Sequence, residues 1–165
     1  MCIRDRAYTG HGFTFEHPAG MVIREGGPLW ETATEKEGMV QFAAYPGPSH
    51  VINVTWESAA APRRLDRALE DVIGRLEEWA RRADYRMAFT AEGEPMHTTL
   101  NGHEVFIRRY VIEEEGQQWA NVMGIWHCDE SNRLFIFSHG VRAGSSAEAD
   151  LMGEVQQHQD GFSCH

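Results

Sequence analysis

Two cysteines lie beside histidines, and these four residues are the main candidates for chemistry in the sequence. His127 directly precedes Cys128, and Cys164 directly precedes His165. Two thiolates and two imidazoles are a ligand set of structural zinc sites. Successive side chains of a strand point to opposite faces, so His127 and Cys128 could share a metal only at a strand end or a bulge. A partial zinc site of Cys128, Cys164 and His165 is geometrically easier.

A disulfide between Cys128 and Cys164 is the second interpretation. If a terminal helix folds back over the sheet, its tail brings Cys164 to the strand end that carries Cys128. Closing that loop would stabilise the domain by at most about 4 kcal/mol, and the bond would indicate an exported protein or a cytosolic redox role. The third interpretation is two reduced thiols, at least one of them buried beside Trp126 as a small apolar side chain. The sequence leaves all three open.

No residue pattern in the sequence meets the requirements of a catalytic site. There is no glycine-rich phosphate loop, no nucleophile elbow and no His-Glu-x-x-His pattern. The spacing of serines and histidines pairs no nucleophile with a base. We therefore expect a non-enzymatic protein without a cofactor, with zinc at the cysteines as the alternative.

Composition indicates one acidic, soluble domain. The 165 residues are 42% hydrophobic and include five Trp and eight Phe, which is enough for a packed core. A formal net charge of −10 disfavours binding to nucleic acid or to an anionic membrane. No stretch approaches the roughly 20 apolar residues that a transmembrane helix needs.

The first six residues, Met-Cys-Ile-Arg-Asp-Arg, are similar to the translation of a common transposase sequencing adapter. We interpret residues 1–6 as an artefact of metagenomic assembly and residues 7–165 as one domain. The native start would then be missing, which leaves the compartment open between the cytoplasm and export. A first strand that begins soon after the artefact slightly favours the cytoplasm. Cys2 would drop out, leaving an even pair of cysteines.

Hydrophobic periodicity predicts two helices. An apolar stripe at helical spacing runs through residues 63–84. A C-terminal helix is expected over 146–158, where Ser145 and Glu148 form a capping-box pattern.

The remaining pattern predicts an antiparallel sheet. Asn101-Gly102 is typical of a two-residue hairpin turn, and the strands that follow it are apolar on both faces. Such a sheet needs cover on both sides. We expect an α+β fold in which the sheet is sandwiched between the long mid-chain helix and the C-terminal helix.

This order of elements resembles the PsbP-like family, named for an extrinsic subunit of photosystem II. The resemblance is carried by Gly12-Phe13-Thr14-Phe15-Glu16-His17-Pro18-Ala19-Gly20, by Asn101-Gly102 before a long strand, and by Arg133-Leu134-Phe135-Ile136-Phe137. It implies an α-β-α sandwich around an antiparallel sheet. It also implies an accessory or binding module, since the family has no shared active-site residues.

Three functions follow for testing. The favoured one is a non-catalytic binding or accessory domain that engages a protein partner or a small ligand, with an exposed apolar patch around Trp30 and the loop 25–37. The second is a metal- or redox-responsive protein that uses Cys128, Cys164 and His165. The third is a helix-grip ligand-binding domain with an internal cavity. It ranks last because that fold has its long helix near the C-terminus, and a solid core under the long helix would exclude it.

Overall fold

Ten strands and two α-helices form within residues 6–44 and 49–164, the parts of the chain that the computed structural model describes. The helices are α1 (Leu65–Arg82) and α2 (Leu151–Asp160), and a short 3₁₀ helix, Ser146–Asp150, precedes α2. The strands are β1 (Arg6–Gly10), β2 (Phe13–His17), β3 (Val22–Glu25), β4 (Glu37–Ala43), β5 (His50–Ser58), β6 (Met87–Leu100), β7 (His103–Glu114), β8 (Gln117–Cys128), β9 (Arg133–Arg142) and β10 (Phe162–Cys164). Neither helix is long and apolar enough to cross a membrane.

Seven strands form one antiparallel sheet in the order β3-β4-β5-β9-β8-β7-β6. The predicted hairpin turn joins β6 to β7, with φ of 47° at Asn101 and 85° at Gly102. Asparagine and glycine tolerate this left-handed backbone, which explains why the turn was recognisable from sequence. The expected α+β class with an antiparallel sheet is confirmed.

Side chains of the central strands alternate between two apolar cores, one on each face of the large sheet. On one face, Leu69, Val72 and Ile73 of α1 pack with residues such as Ile125 and Ile136. On the other face, the neighbouring residues of the same strands pack with α2, β2 and β10. The members of this second core on β8 and β9 include Val122, Trp126, Phe135 and Phe137.

The second face is covered mainly by a separate three-stranded sheet, β1-β2-β10. Phe13 and Phe15 of β2 and Phe162 of β10 pack against the large sheet in the same core as Leu151 and Val155 of α2. We expected a helix alone on this face. A ten-residue helix is only about 15 Å long, whereas seven strands span roughly 29 Å, so the small sheet has to supply most of the cover.

The capping-box prediction for Ser145 and Glu148 is wrong. The Ser145 hydroxyl has no hydrogen-bond partner among the described residues. The Glu148 carboxylate instead accepts from the backbone N–H of Gly144 at 2.7 Å and pairs with Arg109 of β7. The chain starts a 3₁₀ turn here, so the carboxylate reaches one residue further back than in an α-helix.

Residues 1–5 of the supposed adapter segment lie outside the described residues. Arg6, the sixth, is the first residue of β1 and lies opposite His17 of β2. The last residue of that segment therefore belongs to the small sheet. That residues 1–6 derive from a sequencing adapter stays a prediction.

Arg133, the first residue of β9, ties the small sheet to the large one. Its guanidinium is buried and donates to the backbone carbonyls of His11, Gly12 and Glu35. Burial lowers the pKa of Arg133. The same guanidinium lies over the ring of Phe135 at 4.9 Å. One charged group thus satisfies three loop carbonyls from two segments that the core alone would not fix.

We expect Arg133→Leu to lower the free energy of unfolding by about 2–4 kcal/mol, because three backbone carbonyl groups at a part-buried contact lose their charged donor. Arg142→Leu is the matched control, since Arg142 ends the same strand and is exposed. Urea unfolding followed by circular dichroism measures both variants. Equal stability of the two variants would contradict the role assigned to Arg133.

Candidate functional site

Cys128 and Cys164 are joined by a disulfide. Cys128 ends β8 of the large sheet and Cys164 ends β10 of the small one, with their Cα atoms 6.6 Å apart. The bond therefore links the two sheets covalently, close to the Arg133 contacts. His165, the third residue of the partial zinc site, lies outside the described residues.

His127 faces away from the sulfur atoms. Its Nε2 lies 2.8 Å from the carbonyl oxygen of Ala59 and its Nδ1 lies 2.9 Å from a carboxylate oxygen of Asp129. Strand alternation explains this, because β8 stays regular through its last residue, Cys128. The four-ligand set that includes His127 is therefore not assembled in this structure.

Two residues that the sequence analysis did not place here lie beside the disulfide. His103 Nε2 is 3.2 Å from Glu130 Oε2, and the same oxygen is 3.3 Å from Cys128 Sγ. The ligand atoms of these residues and Cys164 all lie within 4.8 Å of one another. The register explains the meeting: Phe106 lies opposite Ile125, and continuing that pairing brings the start of β7 opposite the end of β8.

The disulfide predicts a specific thiol count. The unfolded, unreduced protein should show one reactive thiol per chain, that of Cys2, and three after reduction. Cys164→Ser should lower the free energy of unfolding by up to about 4 kcal/mol. The control is the same comparison in reductant, where the difference should shrink. Three thiols before reduction would refute the bond.

A groove of about 410 Å³ opens on the α1 face of the large sheet. Helix α1 packs mainly against β6, β7 and β8, and the groove extends from its side across the sheet to β3, β4 and β5. Val72 and Leu76 of α1 form one side of the groove, and Trp30 and Pro28 of the loop between β3 and β4 belong to its lining. The groove is thus a consequence of a helix that crosses only part of a wide sheet.

A row of neutral polar side chains crosses the floor of the groove over four adjacent strands. Gln41 Nε2 donates to Asn53 Oδ1 at 3.1 Å, and Ser138 Oγ donates to Asn121 Oδ1 at the same distance. Asn53 lies directly opposite Ser138, which makes the row continuous. Apolar side chains surround it, including Met39, Val51, Trp119, Met123 and Ile136. The floor can therefore offer hydrogen bonds inside an otherwise apolar pocket.

Charged groups of the lining already have partners or lie at the edge strand. Glu114 accepts a hydrogen bond from the Tyr85 hydroxyl at 2.5 Å. Burial, together with the Glu114 carboxylate, raises the pKa of Tyr85, so this phenol stays protonated. Arg24 lies on β3, at the edge of the sheet. The polar side chains on the floor of the groove are therefore mainly neutral.

The expected exposed patch around Trp30 is wrong. Trp30 is only 7% exposed and packs with Met39 and α1, because the bridge between Gly27 and Trp30 turns the indole inward. The large apolar side chains that are exposed are Val22, Ile23 and Met96, among the residues described. Val22 and Ile23 both lie on β3; Val22 belongs to the lining of the groove and Ile23 does not.

The fold is that of PsbP-like proteins, as the sequence resemblance implied. The structure of cyanobacterial PsbP from Synechocystis matches 100% of this chain and 95% of its own, with a TM-score of 0.69 and 10% identity. The Saccharomyces cerevisiae Ran-binding protein Mog1p matches 98% and 96%, with a TM-score of 0.58 and 11% identity. A protein from Bacteroides thetaiotaomicron matches 100% of this chain and 49% of its own, with a TM-score of 0.61 and 14% identity.

At sequence level neither a family model nor a curated protein matches the chain. The likeness to the solved structures therefore establishes the fold, and function has to be argued from the site.

Proposed function

We propose that the chain is a non-catalytic binding domain whose ligand site is the groove beside α1. The observation that carries this proposal is an apolar groove of about 410 Å³ with a continuous polar row on its floor. That volume lies within the range of pockets for small molecules, about 300–1,000 Å³. No nucleophile and base pair is placed in the groove by the residues described, which supports binding over catalysis.

The lining predicts the chemistry of the ligand. A mainly apolar body would pack against Trp30, Met39 and Trp119, and one hydrogen-bonding group would meet the amides of Asn53 and Asn121. Because amides both donate and accept, a carbonyl or a hydroxyl group would serve equally well. Charge pairing would contribute little, since Glu114 is already bonded to Tyr85.

The similar proteins support a binding role in general terms. One of them is a Ran-binding protein, so a protein partner is the alternative occupant. Such a partner would use the exposed Val22 and Ile23 on the edge strand β3, by adding a strand to the sheet. Ligand carriage in a cavity, which the sequence analysis attached to a helix-grip fold, is here proposed for a PsbP-like fold.

We expect Ala43→Trp to weaken binding of anilinonaphthalene sulfonate, a dye with an apolar aromatic body and one sulfonate, by at least about tenfold. Ala43 lines the groove and is half-buried, so an indole there would fill space that the dye needs. Dye fluorescence gives the affinity, and energy transfer from Trp30 and Trp119 reports the place of binding. Ala88→Trp is the matched control. Ala88 lies on β6 between two residues that line the groove, but its own side chain is exposed on the opposite face of the strand.

Near-ultraviolet circular dichroism must show that all three proteins keep their tertiary packing. Equal dye affinity for wild type, Ala43→Trp and Ala88→Trp would overturn the groove as the ligand site. Weak dye binding by the wild type, combined with an Ile23→Lys variant that fails to capture a partner bound by wild type, would favour the protein-partner alternative, because Ile23 is exposed on β3 outside the groove lining.

A second candidate function is favoured by the residues around the disulfide. Reduction by a dithiol would transfer two electrons and two protons to Cys128 and Cys164, and zinc binding would then release the thiol protons. His103 and Glu130 lie close enough to complete a four-ligand site, with mixed sulfur, nitrogen and oxygen ligands that zinc accepts. The proposal is a redox-controlled zinc site with His103 in a role that the sequence analysis gave to His165.

We expect zinc to bind at this end of the domain only after reduction. His103→Gln should weaken that binding by at least about tenfold, whereas His97→Gln should not, because His97 is exposed and pairs with Glu104. Competition with a chromophoric chelator measures both affinities. No additional equivalent of zinc bound after reduction, or no effect of His103→Gln on that equivalent, would remove this candidate.

A further inference from the structure

A second group of metal-binding side chains lies between the large sheet and α2, on the face of the sheet opposite to the groove. It consists of His50, His139 and Glu154, whose ligand atoms all lie within 4.8 Å of one another. His50 begins β5, His139 lies in β9 and Glu154 lies in α2. Residues from three different elements therefore converge on one point.

The sheet register brings the two histidines together. His139 lies opposite Ile52, two residues beyond His50 on the same strand, so both imidazoles point to one face as diagonal neighbours. Their ring centroids are 5.9 Å apart. Helix α2 then carries Glu154 across this face.

One carboxylate oxygen of Glu154 lies near both imidazole rings but forms a hydrogen bond with neither. Glu154 Oε2 is 3.7 Å from His50 Nε2 and 3.6 Å from His139 Nε2. Both separations exceed hydrogen-bond length. Ligand atoms bound at zinc distances in tetrahedral geometry are about 3.4 Å apart, so the observed spacing is close to that of a metal triangle.

His139 supplies the independent observation. Its side chain is 1% exposed, and neither of its ring nitrogens has a hydrogen-bond partner among the residues that the structure describes. Buried polar groups are normally paired, and an orphan calls for an explanation such as an ion. The Nε2 of this orphan is the atom aimed at His50 and Glu154.

The surroundings suit a metal with an open coordination position. His50 Nδ1 lies 3.2 Å from the Ser49 hydroxyl, which leaves Nε2 for the metal, an outer-shell contact typical of metal-ligating histidines. The side chains of His50 and Glu154 are 28% and 36% exposed, so an ion can enter from solvent. Two imidazoles and a carboxylate are a set used by zinc sites that keep a fourth position for water or an exogenous ligand.

We propose that His50, His139 and Glu154 form a binding site for a divalent transition metal of the zinc type, with one coordination position open. The site is separate from the disulfide and from the groove, and it does not depend on the binding function proposed for the groove.

The test uses the full chain under non-reducing conditions with Cys2 alkylated, so that the disulfide withholds both of its sulfurs. Cobalt(II) titration should give one equivalent bound and a visible absorption band typical of nitrogen and oxygen ligands. Zinc affinity follows from competition with a chromophoric chelator. His50→Gln and Glu154→Gln, at partly exposed positions, should each weaken binding by at least about tenfold.

His97→Gln and His103→Gln are the controls and should leave the affinity unchanged. His139→Gln should weaken metal binding as well. If the His139→Gln protein does not fold, the His50→Gln and Glu154→Gln variants still decide the test, because they change partly exposed side chains. Less than one equivalent of metal in wild type, or wild-type affinity in both His50→Gln and Glu154→Gln, would overturn the site. Loss of binding in His103→Gln alone would also overturn it, by assigning the metal to the disulfide end.

Discussion

The structure depends on two strands, β8 and β9, that are buried on both of their faces. Nearly every residue from Trp119 to Cys128 and from Arg133 to Val141 is excluded from solvent. Such a sheet is stable only if apolar layers cover both sides. Helix α1 supplies one layer, and the small sheet with α2 supplies the other. The position of every other element follows from this need for two-sided cover.

Incomplete cover explains where the candidate sites arise. On one side, α1 packs mainly on β6 to β8 and leaves a groove with a polar floor between itself and the β3 edge of the sheet. On the other side, a short α2 packs beside the small sheet and brings Glu154 over His50 and His139. The disulfide lies where the two sheets meet. Each site is therefore at the margin of a layer, where packing demands leave room for polar groups.

The sequence predicted what local patterns determine. The stripe of α1, the Asn101-Gly102 turn and the two-sided burial of the central strands were all recognisable, because each depends on spacing within one segment. A contact between distant segments was recognisable only for Cys128 and Cys164, and there the sequence left zinc binding and reduced thiols open as well. Nothing local indicates that β2 pairs with β10, that His103 approaches Cys128, or that His50 meets His139. Trp30 was misplaced for the same reason, since its burial depends on contacts with α1.

The small sheet joins segments from opposite ends of the described chain, and this has a consequence for biosynthesis. Strand β10 leaves the ribosome about 145 residues after β2, roughly 7–30 s later at ordinary elongation rates. Until then Phe135 and Phe137 have no complete cover on that face. The nascent domain therefore passes through a period in which an apolar sheet surface is open to chaperones, and only the final strand closes it.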